Sequence, residues 1–307
     1  MPKIELNRSI EINASPDKVF KVLNDFNHWS AWSPWLILEP ETVVKVAPDA
    51  KYYEWEGNRI GSGNMRITSE VENKSLNLDL TFLKPWKSKA KVRFELISTS
   101  DGTKLTWFMD SSLPFFMFWM KKMMLGFIGM DYERGLNLLK DYVEDGEVHS
   151  KLEFVGEQSL SKIQYIGIHS HSTITDIDQD MKRDFGKLGE FISGKEDIIA
   201  GKMFSIYHKW DFANGKVQYT SGLAVKSVPN DLSSEFKVGE IPATKVYTLR
   251  HTGPYKHLGN AWSAMYNMHR AKAINIVKGI HPFEEYVNVP GQVPENELIT
   301  DIKFAVK

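Results

Sequence analysis

The sequence predicts an α+β protein of two domains, and three observations carry that prediction. Alternating apolar residues, the mark of half-buried strands, run through the first half beside two helical patterns. A polar stretch, EDGEVHSKLE at 144–153, then breaks the composition. Beyond it the order strand, helix, strand, strand occurs twice, about 80 residues apart, which reads as an internal duplication.

A chain of 307 residues suits about two ordinary domains. Hydrophobic residues make up 42% and charged residues 25%, the balance of a chain that can bury a core. With 38 basic and 39 acidic residues the formal net charge is −1, so no global field favours nucleic acid or an acidic membrane. Cysteine is absent, which excludes disulfides, thiolate catalysis and thiolate metal sites. The N-terminus has no continuous apolar stretch of the signal-peptide kind. The most apolar segment, LPFFMFWMKKMMLGFIGM at 113–130, has Lys121 and Lys122 at its middle, where a charge costs roughly 2.5–3.5 kcal/mol on insertion scales. No membrane span is expected, and a cytoplasmic location is.

In the first half, Ile4, Leu6, Ile10 and Ile12 share one parity and open a strand. Ser15 and Pro16 supply an N-cap and a first helical position, and Val19, Phe20, Leu23 and Phe26 give that helix its apolar face. After the Trp-rich connection NHWSAWSPW, strands return at Leu76–Phe82, Ala90–Leu96 and Leu105–Met109, with Asp101-Gly102 as a turn. Tyr132, Leu136, Leu139 and Val143 then follow the spacing of a long helix.

In the second half, SKIQYIGIHSHST reads as a strand. Ile177, Met181, Phe185, Leu188 and Ile192 trace a helical stripe, and two strands follow, joined through Asn214-Gly215. The order recurs as ATKVYTLRHTG, a helix with the stripe Tyr255, Leu258, Trp262, Met265 and His269, then HPFEEYVNVP and ITDIKFAVK. Two such units can pair about a pseudo-twofold axis and leave a cleft. In HPFEEYVNVP, strand parity places Glu284, Tyr286 and Asn288 on one face and Phe283, Val287 and Val289 on the other, with Glu285 on the apolar side.

INASPDKVFKVLNDFNHWSAWSPW, GSGNMRITS, KLTWFMDSSLP and MDYERGLNLLKDYVE together resemble the SRPBCC superfamily, the START, birch-pollen-allergen and polyketide-cyclase-like group. The resemblance covers residues 1–147. It implies a helix-grip fold, a curved antiparallel sheet around a long helix, with an apolar cavity that takes lipids, polyketides or other hydrophobic molecules. Catalytic residues differ among its branches, so none is assigned. Trp29, Trp32, Trp35, Phe115, Phe116, Phe118 and Trp119 are candidates to line or lid that cavity. Core packing is the plainer role for each. The Met-rich run within 113–130 is the expected mobile lid.

LRHTGPYKHLGNAW, PFEEYVNVP and ITDIKFAV resemble the GyrI-like family, which also forms the effector-binding half of many drug-sensing transcription regulators. This resemblance covers 152–307. It implies that Glu284 faces a central cleft among aromatic side chains, with Tyr286 as its partner. Tyr255 and Trp262, and Tyr207 as the repeat counterpart of Tyr286, complete the candidate ligand-binding set. A carboxylate in such a pocket suits a cationic aromatic ligand, through charge attraction and cation–π contacts worth about 0.5–2 kcal/mol each. With its pKa raised by desolvation, Glu284 could instead act as a general base. Some GyrI-like proteins hydrolyse strained cyclopropane compounds.

Other motifs lead nowhere. His169 and His171 lack further ligands for a metal. In DIDQD, Met181 and Lys187 stand where a calcium loop needs Gly and Glu. GNRIGSG lacks the context of a phosphate loop. No metal and no cofactor are expected. The function expected is binding of hydrophobic or cationic aromatic small molecules in two pockets, for sensing, sequestration or detoxification. The alternatives are a hydrolase using Glu284 and an effector sensor acting through a partner regulator. Direct nucleic-acid binding is not expected, since nothing before residue 150 reads as a helix-turn-helix.

Overall fold

The computed structural model describes residues 3–307. The chain divides into two compact units, one ending at Ser150 and the other beginning at Lys151.

The first unit opens with β1 (Lys3–Ile12), α1 (Pro16–Leu23) and the single-turn α2 (Trp29–Trp32). Next come β2 (Val43–Val46), β3 (Tyr52–Glu56), β4 (Ser62–Val71), β5 (Ser75–Lys84), β6 (Ser88–Ser98) and β7 (Thr103–Ser112). A 3-10 turn at Phe115–Met120 leads into α3 (Lys121–Asp145). The sheet order β1-β7-β6-β5-β4-β3-β2 is antiparallel throughout. Local chemistry accounts for the helix ends. The Ser15 hydroxyl accepts from the Lys18 N–H at 3.3 Å with Pro16 in the first turn. Gly146, at φ 83°, ends α3 in the left-handed conformation.

This is the helix-grip arrangement. Tyr132 on α3 stacks on Trp107 of β7, ring centres 4.0 Å apart, and Leu136, Leu139 and Val143 are buried along the same face. Gly135 allows the close approach, because a Cβ there would sit 2.8 Å from the Trp107 ring and 2.9 Å from Pro34. The helix begins well before its amphipathic stretch and takes in part of the apolar run at 113–130. Among the described residues no helix is long and apolar enough to cross a membrane.

The second unit contains β8 (Lys151–Leu160), β9 (Ile163–Thr173), α4 (Ile177–Ile192), β10 (Ile199–Asp211) and β11 (Lys216–Val225). It continues with β12 (Lys237–Ile241), β13 (Thr244–Thr252), α5 (Gly259–Arg270), β14 (Phe283–Tyr286) and β15 (Ile299–Val306). Its sheet order, β12-β9-β11-β10-β14-β15-β13-β8, is palindromic about the β10–β14 pair. The expected strand-helix-strand-strand repeat is present, and each copy carries an additional leading strand. These leading strands are exchanged. β8 precedes the first copy yet pairs with β13 of the second, and β12 precedes the second yet pairs with β9 of the first. Neither is expected from the sequence: both are edge strands, β12 mostly exposed and β8 half-buried only at Leu152, Phe154, Gly156 and Leu160.

Three details differ from the sequence reading. The strand expected over 281–290 is confined to Phe283–Tyr286. Asn288 lies beyond it and ties down the following loop, bonding the Glu297 carbonyl and the Ile299 N–H. Tyr255 belongs to a 3-10 turn before α5, and in the stripe Met268 is buried while His269 is exposed. A proline-led turn offsets the helical phase that continuous spacing assumes.

Candidate functional site

The register of β10 against β14 builds the site in the second unit. Ser205 lies opposite Glu284, so Ser205 and Tyr207 project on the same face as Glu284 and Tyr286. In the aligned stretches MFSIY and PFEEY the position matching Glu284 is Ser205, and Tyr207 matches Tyr286. The duplicated sheet thus presents two tyrosines but one carboxylate at its centre.

Glu284 is only 2% exposed. Its Oε1 accepts from the hydroxyls of Tyr207 and Tyr286, each at 2.6 Å, and its Oε2 accepts from the Trp262 indole N–H of α5 at 3.0 Å. Burial pushes the Glu284 carboxyl above the ordinary glutamate range, while the three hydrogen bonds oppose that rise. The Tyr207 and Tyr286 hydroxyls are held well above the usual phenol range, first by burial and then by the adjacent Glu284 charge. Tyr255 is pushed up to about 12 by burial, with Glu284 contributing. It touches the group through Tyr286, ring centres 5.8 Å apart, and no bond to Glu284 joins them directly.

Several residues that the sequence did not mark complete the surroundings. Met181 of α4 lies over the polar centre, its Sδ 4.0 Å from the Tyr207 hydroxyl and 3.9 Å from that of Tyr286. The Ser205 hydroxyl is 3.0 Å from that of Tyr286. Trp210 stacks on Tyr207 at 5.0 Å, and Phe212 on Trp210 at 5.5 Å. A second buried carboxylate, Asp184 of α4, accepts from Ser170 at 2.6 Å and from Tyr219 at 3.1 Å. The Tyr219 ring is 6.5 Å from that of Tyr207. Met181 stood in the helical stripe, but the stripe itself does not say which sheet residues it covers.

Glu285, of opposite parity, pairs with Lys303 at 3.1 Å. The two adjacent acids have different surroundings, as strand alternation requires.

In the first unit, Trp29, Trp35, Leu36, Tyr53, Trp55, Met65, Phe82, Trp107 and Tyr132 surround a gap of about 40 Å³. That holds a few waters and is far below the roughly 300–1,000 Å³ of a pocket for drug-sized ligands. Aromatic side chains fill most of the space. Among its wall atoms, the Trp29 and Trp107 indole nitrogens and the Tyr132 hydroxyl are buried without reaching hydrogen-bond geometry with any partner. Trp35 is held by Asp131, its N–H at 3.2 Å. Glu39, 3% exposed, shapes the rim by accepting the N–H groups of Asn58, Arg59 and Ile60.

Of the candidate cavity aromatics, Trp29 and Trp35 line the gap and Trp32 packs beside them in the core. Phe115, Phe116, Phe118 and Trp119 do neither. They stand 61–76% exposed on the turn before α3, whose inward side is taken by Met117 and Met120, three residues apart and half-buried.

His169 and His171 stand on the sheet face opposite Glu284, ring centres 5.3 Å apart, and His208 and His281 extend the row. Among the described residues no group of three or more His, Asp or Glu side chains is arranged to hold a metal ion. In DIDQD the acids sit at the start of α4, where Asp180 takes Ser172 and Arg183, a helix-terminal arrangement.

Residues 3–144 match the family model described as polyketide cyclase / dehydrase and lipid transport, and residues 164–307 match the GyrI-like small molecule binding domain. No curated protein matches the chain. Among similar solved structures, protein MLL2253 from Mesorhizobium loti is 14% identical, with 47% of this chain and 99% of that one covered at a TM-score of 0.37. EcmrR in its DNA complex is 15% identical, covering 63% and 72% at 0.43. SAV2435 bound to tetraphenylphosphonium is 17% identical, covering 50% and 94% at 0.38. Likeness at this level speaks to neither ligand nor activity.

Proposed function

The chain joins an SRPBCC domain of the polyketide cyclase / dehydrase and lipid transport family to a GyrI-like small molecule binding domain, and from that premise we propose that it binds cationic aromatic molecules at Glu284. The observation that carries this reading is the buried Glu284 carboxylate, ringed by Tyr207, Tyr286, Trp262 and Tyr255. A buried negative charge attracts a positive one strongly at short range, and the ring faces add cation–π attraction. Asp184, the second buried carboxylate, is already answered by Arg183 at 3.1 Å, so Glu284 carries the charge argument. Entry requires Met181 or the rings to shift, as the carboxylate is closed off in this conformation. The first unit would take a hydrophobic ligand only after its aromatic walls part. A ligand bearing acceptor oxygens would there satisfy Trp29, Trp107 and Tyr132.

A hydrolase reading is less well supported. A general base must reach the water it activates, and both Glu284 oxygens already accept hydrogen bonds. The role served by binding is sequestration or sensing, the latter through a partner.

Tetraphenylphosphonium, a rigid aromatic cation without hydrogen-bonding groups, is a suitable probe. Calorimetric titration of the full chain should show binding that weakens by about tenfold or more in Glu284→Gln, as expected for loss of a buried counter-charge. Equal affinity of both proteins would remove Glu284 from the site. Consumption of a cyclopropane electrophile by the wild type alone would instead make the protein an enzyme.

A further inference from the structure

One end of the first unit's sheet carries an apolar surface that neither ligand site uses. The β5–β6 hairpin and the segment after β7 both leave the sheet there, since Ala90 pairs with Ser111 and the Ser111 hydroxyl donates to the Lys89 carbonyl at 2.9 Å. The hairpin exposes Leu83 and Trp86, and the segment exposes Phe115, Phe116, Phe118 and Trp119, with Met123 and Phe127 following on α3. Trp86 is 63% exposed, Phe115 76% and Trp119 68%. Isolated apolar side chains on a surface are ordinary, but four large rings exposed along one short turn, Phe115 and Phe118 among them with ring centres 6.3 Å apart, mark an interaction site.

Basic residues gather around these rings. The hairpin and the start of β6 contribute Lys84, Lys87, Lys89, Lys91 and Arg93, and residues 80–94 contain no acid. Residues 111–130 contribute Lys121 and Lys122, again without an acid. Three of these cations meet acids, Lys84 with Glu56 at 2.9 Å, Lys91 with Asp79 at 2.5 Å and Arg93 with Glu95, so the local excess rests on Lys87, Lys89 and Lys121. The overall charge of −1 conceals this local excess.

We propose that this end of the unit docks on an anionic lipid surface. The rings, led by Phe116, Trp119 and Trp86, enter the interfacial layer while the lysines meet lipid phosphates. Aromatic side chains favour the headgroup boundary, and lysines beside an apolar face strengthen binding to anionic lipid. A second copy of the chain would bring like charges together on a twofold axis, and the charge pattern therefore selects lipid. The docked end is also an edge of the cavity. Phe82, a wall residue, immediately precedes Leu83, and Ile60, another wall residue, lies in the loop that precedes Gly61 and Ser62, the latter pairing with Lys84. The proposal does not depend on the Glu284 site.

Co-flotation of the full chain with vesicles tests it. Phosphatidylcholine–phosphatidylglycerol vesicles should carry the protein about tenfold or more better than phosphatidylcholine alone, with binding that falls as salt rises. Phe116→Ser combined with Trp119→Ser should abolish flotation, and Lys87→Glu with Lys121→Glu should abolish the preference for anionic lipid. Because these side chains are exposed, each variant should melt with the wild type, and tetraphenylphosphonium binding should be unchanged. Failure of the wild type to float on anionic vesicles, or flotation of the aromatic variant as well as the wild type, overturns the proposal. A wild-type dimer that the aromatic variant dissolves, without vesicle binding, makes a second copy the occupant and equally overturns it.

Discussion

Tyr207 and Tyr286, one from each copy of the duplicated unit, donate to the same oxygen of Glu284 at the same distance, 2.6 Å. Two symmetric donors thus converge on one asymmetric acceptor, because the equivalent of Glu284 is Ser205. The arrangement satisfies a buried charge at the centre of the sheet, where the alternative would be an unpaired carboxylate.

Removing either hydroxyl should therefore destabilise the protein. Tyr207→Phe and Tyr286→Phe should each cost about 1.5–3 kcal/mol in urea unfolding, the range for a hydrogen bond to a charged group. The double variant should depart from additivity, since both donors serve one oxygen. Strict additivity would mean that the two bonds act independently and that Glu284 is not their shared acceptor.

Met181 covers the tyrosine hydroxyls without filling a fully buried position. Met181→Ala should open a path to Glu284 and raise the association rate of tetraphenylphosphonium in stopped-flow fluorescence. Its stability should drop by only about 1–2 kcal/mol, below the range for truncating a fully buried methionine. An unchanged association rate would show that entry takes another route.

In the first unit, the Tyr132 hydroxyl is buried beside the Trp107 indole without reaching ordinary hydrogen-bond geometry with a protein partner. Tyr132→Phe should leave stability unchanged or raise it by up to about 1 kcal/mol, because a buried polar group without a partner carries a desolvation cost and no return. A loss above about 2 kcal/mol in thermal or urea unfolding would reveal a partner for that hydroxyl.

Acid should weaken the second unit. Burial lowers His208 to about 4, with His281 and His169 adding repulsion, and lowers His251 to about 3, with His257 adding to it. Between these values and the ordinary 6.5 the unfolded chain binds more protons than the folded one, so stability rises with pH across that window and falls on acidification. Glu284 acts in the opposite sense, because its raised value lets the folded form keep a proton to higher pH. In Glu284→Gln the melting temperature should consequently fall more steeply from pH 6.5 towards 4 than in the wild type. A flat profile in that variant would contradict the neutral, buried state of His251.

Much of this architecture is written locally. Period-two alternation marked β1 and the β5, β6 and β7 strands, Ser15 with Pro16 marked the start of α1, and Tyr132 to Val143 marked the inward face of α3. Alternation also placed Glu284 and Tyr286 on one face and Glu285 on the other. The edge strands β8 and β12 are fainter, since β8 alternates only at Leu152 and Phe154 beside the polar stretch at 144–153 and β12 is mostly exposed. The Phe115–Trp119 turn looked like core or cavity-lining material by composition, and only its place at the end of the sheet leaves its rings in water.

The sequence by itself determined the α+β class and the duplication, because periodicity and repeats are properties of neighbouring residues, and the family resemblance pointed to Glu284. That resemblance grouped Tyr207 and Trp262 with Glu284, but it could not determine that both would bond its carboxylate or that Met181 would cover the tyrosine hydroxyls. That meeting depends on the register of β10 against β14 and on how α4 and α5 lie across the sheet, and these are fixed by packing between segments far apart in the chain.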